Sequence, residues 1–324
     1  MMLRNTARRL RERGILGINQ RNRDFVMRYN PRHLYPLVDD KLRTKRLAAE
    51  YGIPTPPLFA TFENEHQVRE IAETLGNLQD FAMKPARGAG GDGILIAMAR
   101  RGDRFRRAKG NWVGFEDLAY HASNILSGVY SLGGQNDVAM VEHRVQPDSL
   151  FEAISFGGVP DVRIIVLRGY PVMAMVRLPT QQSDGKGNLH QGAIGAGIDL
   201  STGRTLHGVW GNERTRIHPD TESVLAGVAI PDWEVFLQLA TRCYEMTGLG
   251  YLGVDIVLDR KLGPLLLELN ARPGLNIQIA NDAGLAARCE RVEAETATRT
   301  PDQRVAWSRQ VFGAVLETHQ AVGR

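Results

Sequence analysis

Gly253-Val254-Asp255-Ile256-Val257, followed by Leu267-Glu268-Leu269-Asn270-Ala271-Arg272-Pro273-Gly274, is the stretch on which the reading of this chain turns. Apolar residues dominate both runs, and the turn formers from Asp259 to Pro264 separate them, which predicts a hairpin of two strands. Alternation puts Asp255 on the opposite face from Val254 and Ile256. It puts Glu268 and Asn270, two residues apart, on one face of the second strand. Such a hairpin can gather Asp255, Glu268 and Asn270 into an all-oxygen cluster. Carboxylate and amide oxygens suit a hard cation such as Mg²⁺. Two carboxylates beside a run of leucines are costly unless a positive charge compensates them. The competing reading is structural: strand-end ion pairs with Arg260 or Arg272.

A second signal lies upstream. Lys84 ends a predicted strand, Phe81 to Pro85, with its ammonium expected to meet solvent. Gly88, Gly90, Gly91 and Gly93 follow, and a second strand, Ile94 to Ala97, completes a hairpin with a glycine-rich tip. Glycines let a backbone approach phosphate closely, and a lysine supplies a point charge. No Gly-Lys-Ser/Thr closes the tip and no helix follows, so it is not a Walker loop. Taken alone, the tip reads better as a plain flexible hairpin. Lys41, preceded by the helix-capping Asp40, offers another ammonium on a helix predicted from Lys41 to Tyr51.

The remaining pattern predicts an α+β chain in several lobes. Strands are expected at Leu58 to Phe62, Val138 to Val145, Val162 to Leu167 and Val172 to Arg177. Helices are expected at Glu65 to Leu75, Phe115 to Tyr130, from Asp232, near Asn276, and from Pro301 to about Ala321. Residues 185 to 197 read as a glycine-punctuated loop. Residues 1 to 40 read as a basic helix and an irregular segment broken by prolines, carrying Arg4, Arg8, Arg9, Arg11 and Arg13. A second basic cluster is Arg100, Arg101, Arg104, Arg106, Arg107 and Lys109.

Composition bounds the rest. The 324 residues are 43% hydrophobic and 23% charged, as expected of a globular chain rather than a disordered one. No apolar run approaches the length of a membrane span, and no apolar core follows the charged N-terminus as in a secretory signal. Two cysteines, Cys243 and Cys289, make neither a disulfide framework nor a zinc cluster, so a reducing cytoplasm is expected. The +4 balance of 40 basic and 36 acidic residues favours acidic partners without choosing among them.

The order of these pieces resembles the ATP-grasp ligases: Asp40-Lys41 with Lys45, Gly52-Ile53-Pro54-Thr55-Pro56, the Lys84 strand with its glycine loop, Val141-Glu142, then Asp255 and Glu268-Leu269-Asn270. More narrowly, Asp161-Val162-Arg163 and Asn188-Leu189-His190-Gln191-Gly192 are similar to segments of the RimK-type α-L-glutamate ligases. The likeness covers residues 40 to 285. It implies an ATP-grasp fold, two α+β lobes gripping ATP, with residues 41–145 as the central lobe and 146–324 as the C-terminal lobe. Residues 1–40 would be a short helical extension in place of the family's preceding α/β domain.

The resemblance also implies roles. Lys41 and Lys84 contact the nucleotide phosphates under the loop that contains Gly90 and Gly91. Glu142 to Val145 form the hinge that meets adenine, Asp161 holds the ribose, and Asn188 lies near the terminal phosphates. A spacing between Glu142 and Asp161 longer than the family's leaves Asp148 and Glu152 as alternatives for the ribose. Asp255, Glu268 and Asn270 bind two Mg²⁺ ions, with Mn²⁺ as an alternative. Arg163 and Arg272 are the candidates for the acyl-phosphate and the donor carboxylate, since a planar guanidinium suits both. The implied activity is ADP-forming ligation of glutamate or another amino acid to an amino acid, peptide or protein. A homo-oligomer or partner protein would complete the acceptor site. Two other classes compete: a non-catalytic ATP-binding protein, which should have lost a metal ligand, and an anionic-surface or nucleic-acid module built on the N-terminal arginines. Aromatics do not interleave with those arginines, which argues against base stacking.

Overall fold

The computed structural model describes residues 8–10, 12–88 and 90–313. Arg4, Arg11 and residues 314–321, expected as the end of the C-terminal helix, lie outside the described residues. The chain divides into two compact units: the described parts of Met1–Val38, Leu47–Pro54 and Gln146–Arg324 form one, and Asp39–Arg46 with Thr55–Val145 form the other. Among the described residues no helix is long and apolar enough to cross a membrane.

The smaller unit is an antiparallel six-stranded sheet of β1 (Leu58–Phe62), β2 (Phe81–Pro85), β3 (Leu95–Arg101), β4 (Arg104–Arg107), β5 (Trp112–Val113) and β6 (Ala139–Glu142), in the order β1-β6-β2-β3-β4-β5. Strand β2 has two buried faces. Phe81 and Met83 join the core beneath helix Phe115–Leu126, while Lys84 shares the other face with Glu142 and Met140. The predicted helix from Glu65 is two short ones, Glu65–Arg69 and Ile71–Leu75, because Glu70 leaves helical geometry at φ −93° and ψ 12°. The second basic cluster is not merely a solvated run. Arg100 sets its guanidinium over the rings of Phe105 and Phe115, 5.3 and 5.6 Å from their centres.

The larger unit is an antiparallel seven-stranded sheet in the order β11-β10-β9-β8-β7-β12-β13. Its strands are β7 (Asp161–Leu167), β8 (Tyr170–Leu178), β9 (Ile194–Ile198), β10 (Thr205–Trp210), β11 (Glu213–Thr215), β12 (Tyr251–Asp259) and β13 (Gly263–Asn270). The glycine-punctuated segment expected to be a loop therefore holds a buried central strand, β9. Its glycines serve packing: a Cβ on Gly197 would stand 2.4 Å from the carbonyl oxygen of Ala280. Arg168 and Gly169, at φ 51° and 80°, close the β7–β8 hairpin as expected of a tight two-residue turn. Helix Trp233–Thr247 buries Phe236, Leu237 and Ala240 against this sheet, and Cys243 with them.

Residues 18–29 are one helical run whose middle, Arg21–Val26, is a π-helix. This segment is not a separate extension. Leu16, Phe25 and Val26 belong to the core of the larger unit, and Leu16 exchanges backbone hydrogen bonds with the Gln278 side chain at 2.8 and 3.0 Å.

Candidate functional site

Register decides what the larger unit presents. On β7, Asp161 pairs with Arg177 of β8, and Arg163 pairs with Asp255 of β12, which in turn pairs with Glu268 of β13. These side chains share one face of four adjacent strands. Arg163 grips Asp255 through two parallel hydrogen bonds, Nε to Oδ1 at 2.7 Å and Nη2 to Oδ2 at 2.6 Å. Arg177 donates to Asp161 Oδ1 at 2.6 Å and to Asp255 Oδ2 at 2.8 Å. Asn270 Nδ2 adds a bond to Asp255 Oδ2 at 3.1 Å.

The electrostatics follow from burial. Desolvation opposes the charge on Asp255, yet the two guanidiniums hold its carboxyl below the usual range. Asp161 shares only part of one arginine. Burial and the neighbouring Asp255 outweigh Arg177 and push its pKa up to about 6. The native state thus keeps a proton that the unfolded chain, ordinarily titrating near 3.8, has lost. Stability from this group is greatest below the unfolded value and falls as the pH rises from about 4 to 6. Asp161→Asn should therefore gain on the wild type over that interval in urea unfolding between pH 4.5 and 7.5. A constant difference, or one that moves the other way, contradicts the assignment.

The smaller unit holds a buried ion-pair cluster of its own. Glu142 is buried between two ammoniums, Lys84 Nζ at 2.5 Å and Lys45 Nζ at 2.9 Å. The lysines hold its carboxyl below the usual range against desolvation, which also lowers Lys45. The expectation that Lys84 meets solvent is thus corrected: it is 5% exposed, because β2 is covered on both faces. The helix carrying Lys41 and Lys45 starts at Asp40, whose Oδ1 accepts from the backbone of Leu42 and Arg43. Lys41 Nζ donates to the Gly88 carbonyl at 2.6 Å. The glycine loop is anchored at both ends: Asp137 accepts from the Arg87 backbone and from Ser131 Oγ, and His121 Nε2 lies 2.9 Å from the Gly93 carbonyl. Between the anchors Gly90 and Gly91 take φ values of 67° and 81°, open to glycine at little cost.

The structure thus brings Asp161, Arg163, Asp255, Glu268 and Asn270 together in one unit and Lys84 with Glu142 in the other. Val145 follows Glu142 at the end of the smaller unit and is buried. Asn188 caps a short 3-10 turn by accepting from the His190 backbone at 3.0 Å. Asp148 is a helix cap, and Glu152 pairs with Arg260 at 2.5 Å. Arg272 is exposed, with its guanidinium 5.0 Å from the centre of the Tyr35 ring. Asp255 is ion-paired in mid-strand, with Arg163 and Arg177 rather than with Arg260 or Arg272 at a strand end. Arg177 is the charged residue that sequence reasoning passed over, and Lys45 was named there without a role. The visible signal for Arg177 was one charge ending the apolar run Val172 to Val176.

Among the described residues no three His, Cys, Asp or Glu side chains stand together as a metal group. The set here is two carboxylates and an amide. Its all-oxygen chemistry fits Mg²⁺ through Glu268 and Asn270, with Asp255 sharing its oxygens with the guanidiniums.

The sequence matches the sugar-transfer associated ATP-grasp family over residues 20–294, and the chain belongs to that family. No curated protein sequence matches it. Among solved structures it is similar to the ATP-grasp ligase PsnB complexed with minimal precursor, at 16% identity over 83% of this chain and 64% of that one, with a TM-score of 0.45. It is similar to a RimK domain ATP-grasp protein from Sphaerobacter thermophilus, at 14% identity over 81% and 69%, TM-score 0.43. D-alanyl-alanine synthetase A from Vibrio cholerae matches at 11% identity over 87% and 66%, TM-score 0.46. The chain spans 60 to 64% of the PsnB structures it matches first.

Proposed function

We propose that the chain is an ATP-dependent carboxylate–amine ligase. The observation that carries this is the row of charged side chains across β8, β7, β12 and β13, in a member of an ATP-grasp family. Lys41 and Lys84 bind the phosphates of ATP, the Gly90–Gly91 tip closes over them, and residues 142 to 145 meet adenine. The ribose partner is Asp161, Asp148 or Glu152. Asn188 serves the terminal phosphates. Glu268, Asn270 and Asp255 would hold Mg²⁺, whose contribution when bound is to offset phosphate charge.

In this reaction a substrate carboxylate oxygen attacks the γ-phosphorus and the bond to the β-phosphate oxygen breaks, giving an acyl-phosphate and ADP. An amine then attacks the acyl carbon, phosphate leaves, and the amine proton passes to solvent. The chain's own work is positioning and charge cancellation. Arg272 takes the donor carboxylate and Arg163 the transferred phosphoryl group, through the Nη1 that the Asp255 pair does not use. The acid is glutamate or another amino acid, and the acceptor an amino acid, peptide or protein. The family's association with sugar transfer supports a second acceptor class, an amino sugar.

Measuring ADP release with amino acids, short peptides and amino sugars, with hydroxylamine as a small trapping amine, tests the reading. ADP release that depends on a carboxylate and yields a hydroxamate is expected. ATP binding with no carboxylate-dependent turnover across the panel would instead favour the non-catalytic reading. Lys84→Met should weaken ATP binding by roughly ten- to a hundredfold, the loss of one charge-assisted hydrogen bond. Glu142 keeps Lys45, but losing one partner of a buried ion pair should still cost about 3–5 kcal/mol, so the melting temperature is checked alongside. Unchanged ATP affinity by titration calorimetry would remove Lys84 from the nucleotide site.

A further inference from the structure

The loop after β13 has no regular structure of its own, yet it carries Arg272. It is held from the N-terminal segment. Asn30, 2% exposed, donates to the carbonyls of Tyr251 and Ala271 at 2.7 and 3.0 Å and accepts from the Tyr251 backbone at 2.8 Å. One amide therefore ties the start of β12 to the residue before Arg272. The π-helix turns Arg21 inward with Phe25 and Val26, and Arg21 Nη1 donates to the Pro273 carbonyl at 2.7 Å and to that of Arg272 at 3.4 Å. Beyond it, Tyr35 sets its ring against the Arg272 guanidinium.

Three side chains from residues 21–35 thus fix the backbone on both sides of Arg272 and the direction of its charge. Packing alone would not call for this: an exposed arginine costs little where it points. Backbone carbonyls held by a buried guanidinium define a position tightly.

We infer that Arg21, Asn30 and Tyr35 are positioning residues that aim Arg272 at the carboxylate substrate, so that the N-terminal segment sets carboxylate affinity. This deepens, and rests on, the ligase reading above. Arg272 is attracted to the Tyr35 ring face, and losing such a contact weakens an interaction by about three- to thirtyfold.

The test uses the full chain and the panel carboxylate that releases most ADP with the wild type. Tyr35→Leu should raise KM for that carboxylate at least about threefold, leave KM for ATP within about twofold, and keep the melting temperature. Tyr35→Phe, which retains the ring, should restore the wild-type KM. Arg21→Met should speed amide hydrogen exchange in residues 271–276, a measurement that needs no substrate. The proposal is overturned if Tyr35→Leu binds the carboxylate like the wild type, if both KM values rise together, or if Tyr35→Phe is as poor as Tyr35→Leu. Wild-type protein that releases no ADP with any carboxylate marks the failure of the ligase reading itself, and takes the carboxylate role of Arg272 with it. Unchanged exchange in Arg21→Met defeats the clamp on its own.

Discussion

Arg177→Met should destabilise the larger unit by about 3–5 kcal/mol, the usual cost of removing one partner from a buried ion pair. The side chain is 14% exposed and donates to two carboxylates that are nearly inaccessible. Methionine fills similar volume, so the loss is one of charge and hydrogen bonds rather than of packing. Asp255 keeps Arg163. Asp161 loses the partner it is seen to use and can escape only by taking a proton. The cost should therefore be largest near pH 8 and shrink toward pH 5, where neutral Asp161 no longer needs a cation. At about 2–4 °C per kcal/mol the transition of this unit should move by roughly 10 °C. Asp161→Asn in the same chain should recover part of the loss, since the two residues share one network. A shift under about 2 °C, or one that ignores pH, would show that Arg177 is dispensable to the charge balance.

That network marks the limit of what could be read from the residues. A strand's period of two is local, so the shared face of Glu268 and Asn270, and the opposition of Asp255 to Val254, were legible. So was the Lys84 hairpin with its glycine tip. Which strand lies beside which is not local. Arg177 stands 78 residues from Asp255, and only the β8-β7-β12 order brings them together. Lys45 and Glu142 were visible within motifs, but their ion pair depends on helix Lys41–Glu50 lying over the second face of β2 and β6. Strand β9 was hidden by Gly195 and Gly197: glycine has low strand propensity, and it stands here because close neighbours leave no room for a Cβ. The N-terminal segment was legible only in part: Arg8, Arg9 and Arg13 are exposed, as a solvated surface implies, whereas the long-range bonds of buried Arg21 and Asn30 to the other end of the chain carry no local signal.

Glu268→Gln should lower ligase turnover by on the order of 10²–10³ while leaving the fold intact. The side chain is half-buried at an edge strand, paired in register with Asp255, and its charge acts on Arg177. Glutamine keeps the shape, so packing of Leu266 and Leu269 should survive. What it removes is one negative charge from a set in which Asp255 is already engaged by two guanidiniums. In the proposed site Glu268 is the second carboxylate offered to a divalent cation, and Asn270 supplies only a neutral oxygen. The variant should bind Mn²⁺ more weakly when titrated by electron paramagnetic resonance in the presence of ADP, a readout independent of turnover. Raising Mg²⁺ should restore little, because a cation bound without that carboxylate would not be held where the phosphoryl charge must be offset. The alternative is that Glu268 serves Arg177 as a structural counter-charge. In that case Mn²⁺ affinity and turnover would stay near wild type while the melting temperature falls. The two roles move different observables, and Asp255→Asn distinguishes them again. As a metal ligand it should lose Mn²⁺ affinity, whereas as an ion-pair partner alone it should lose stability by an amount that depends on the presence of Arg163.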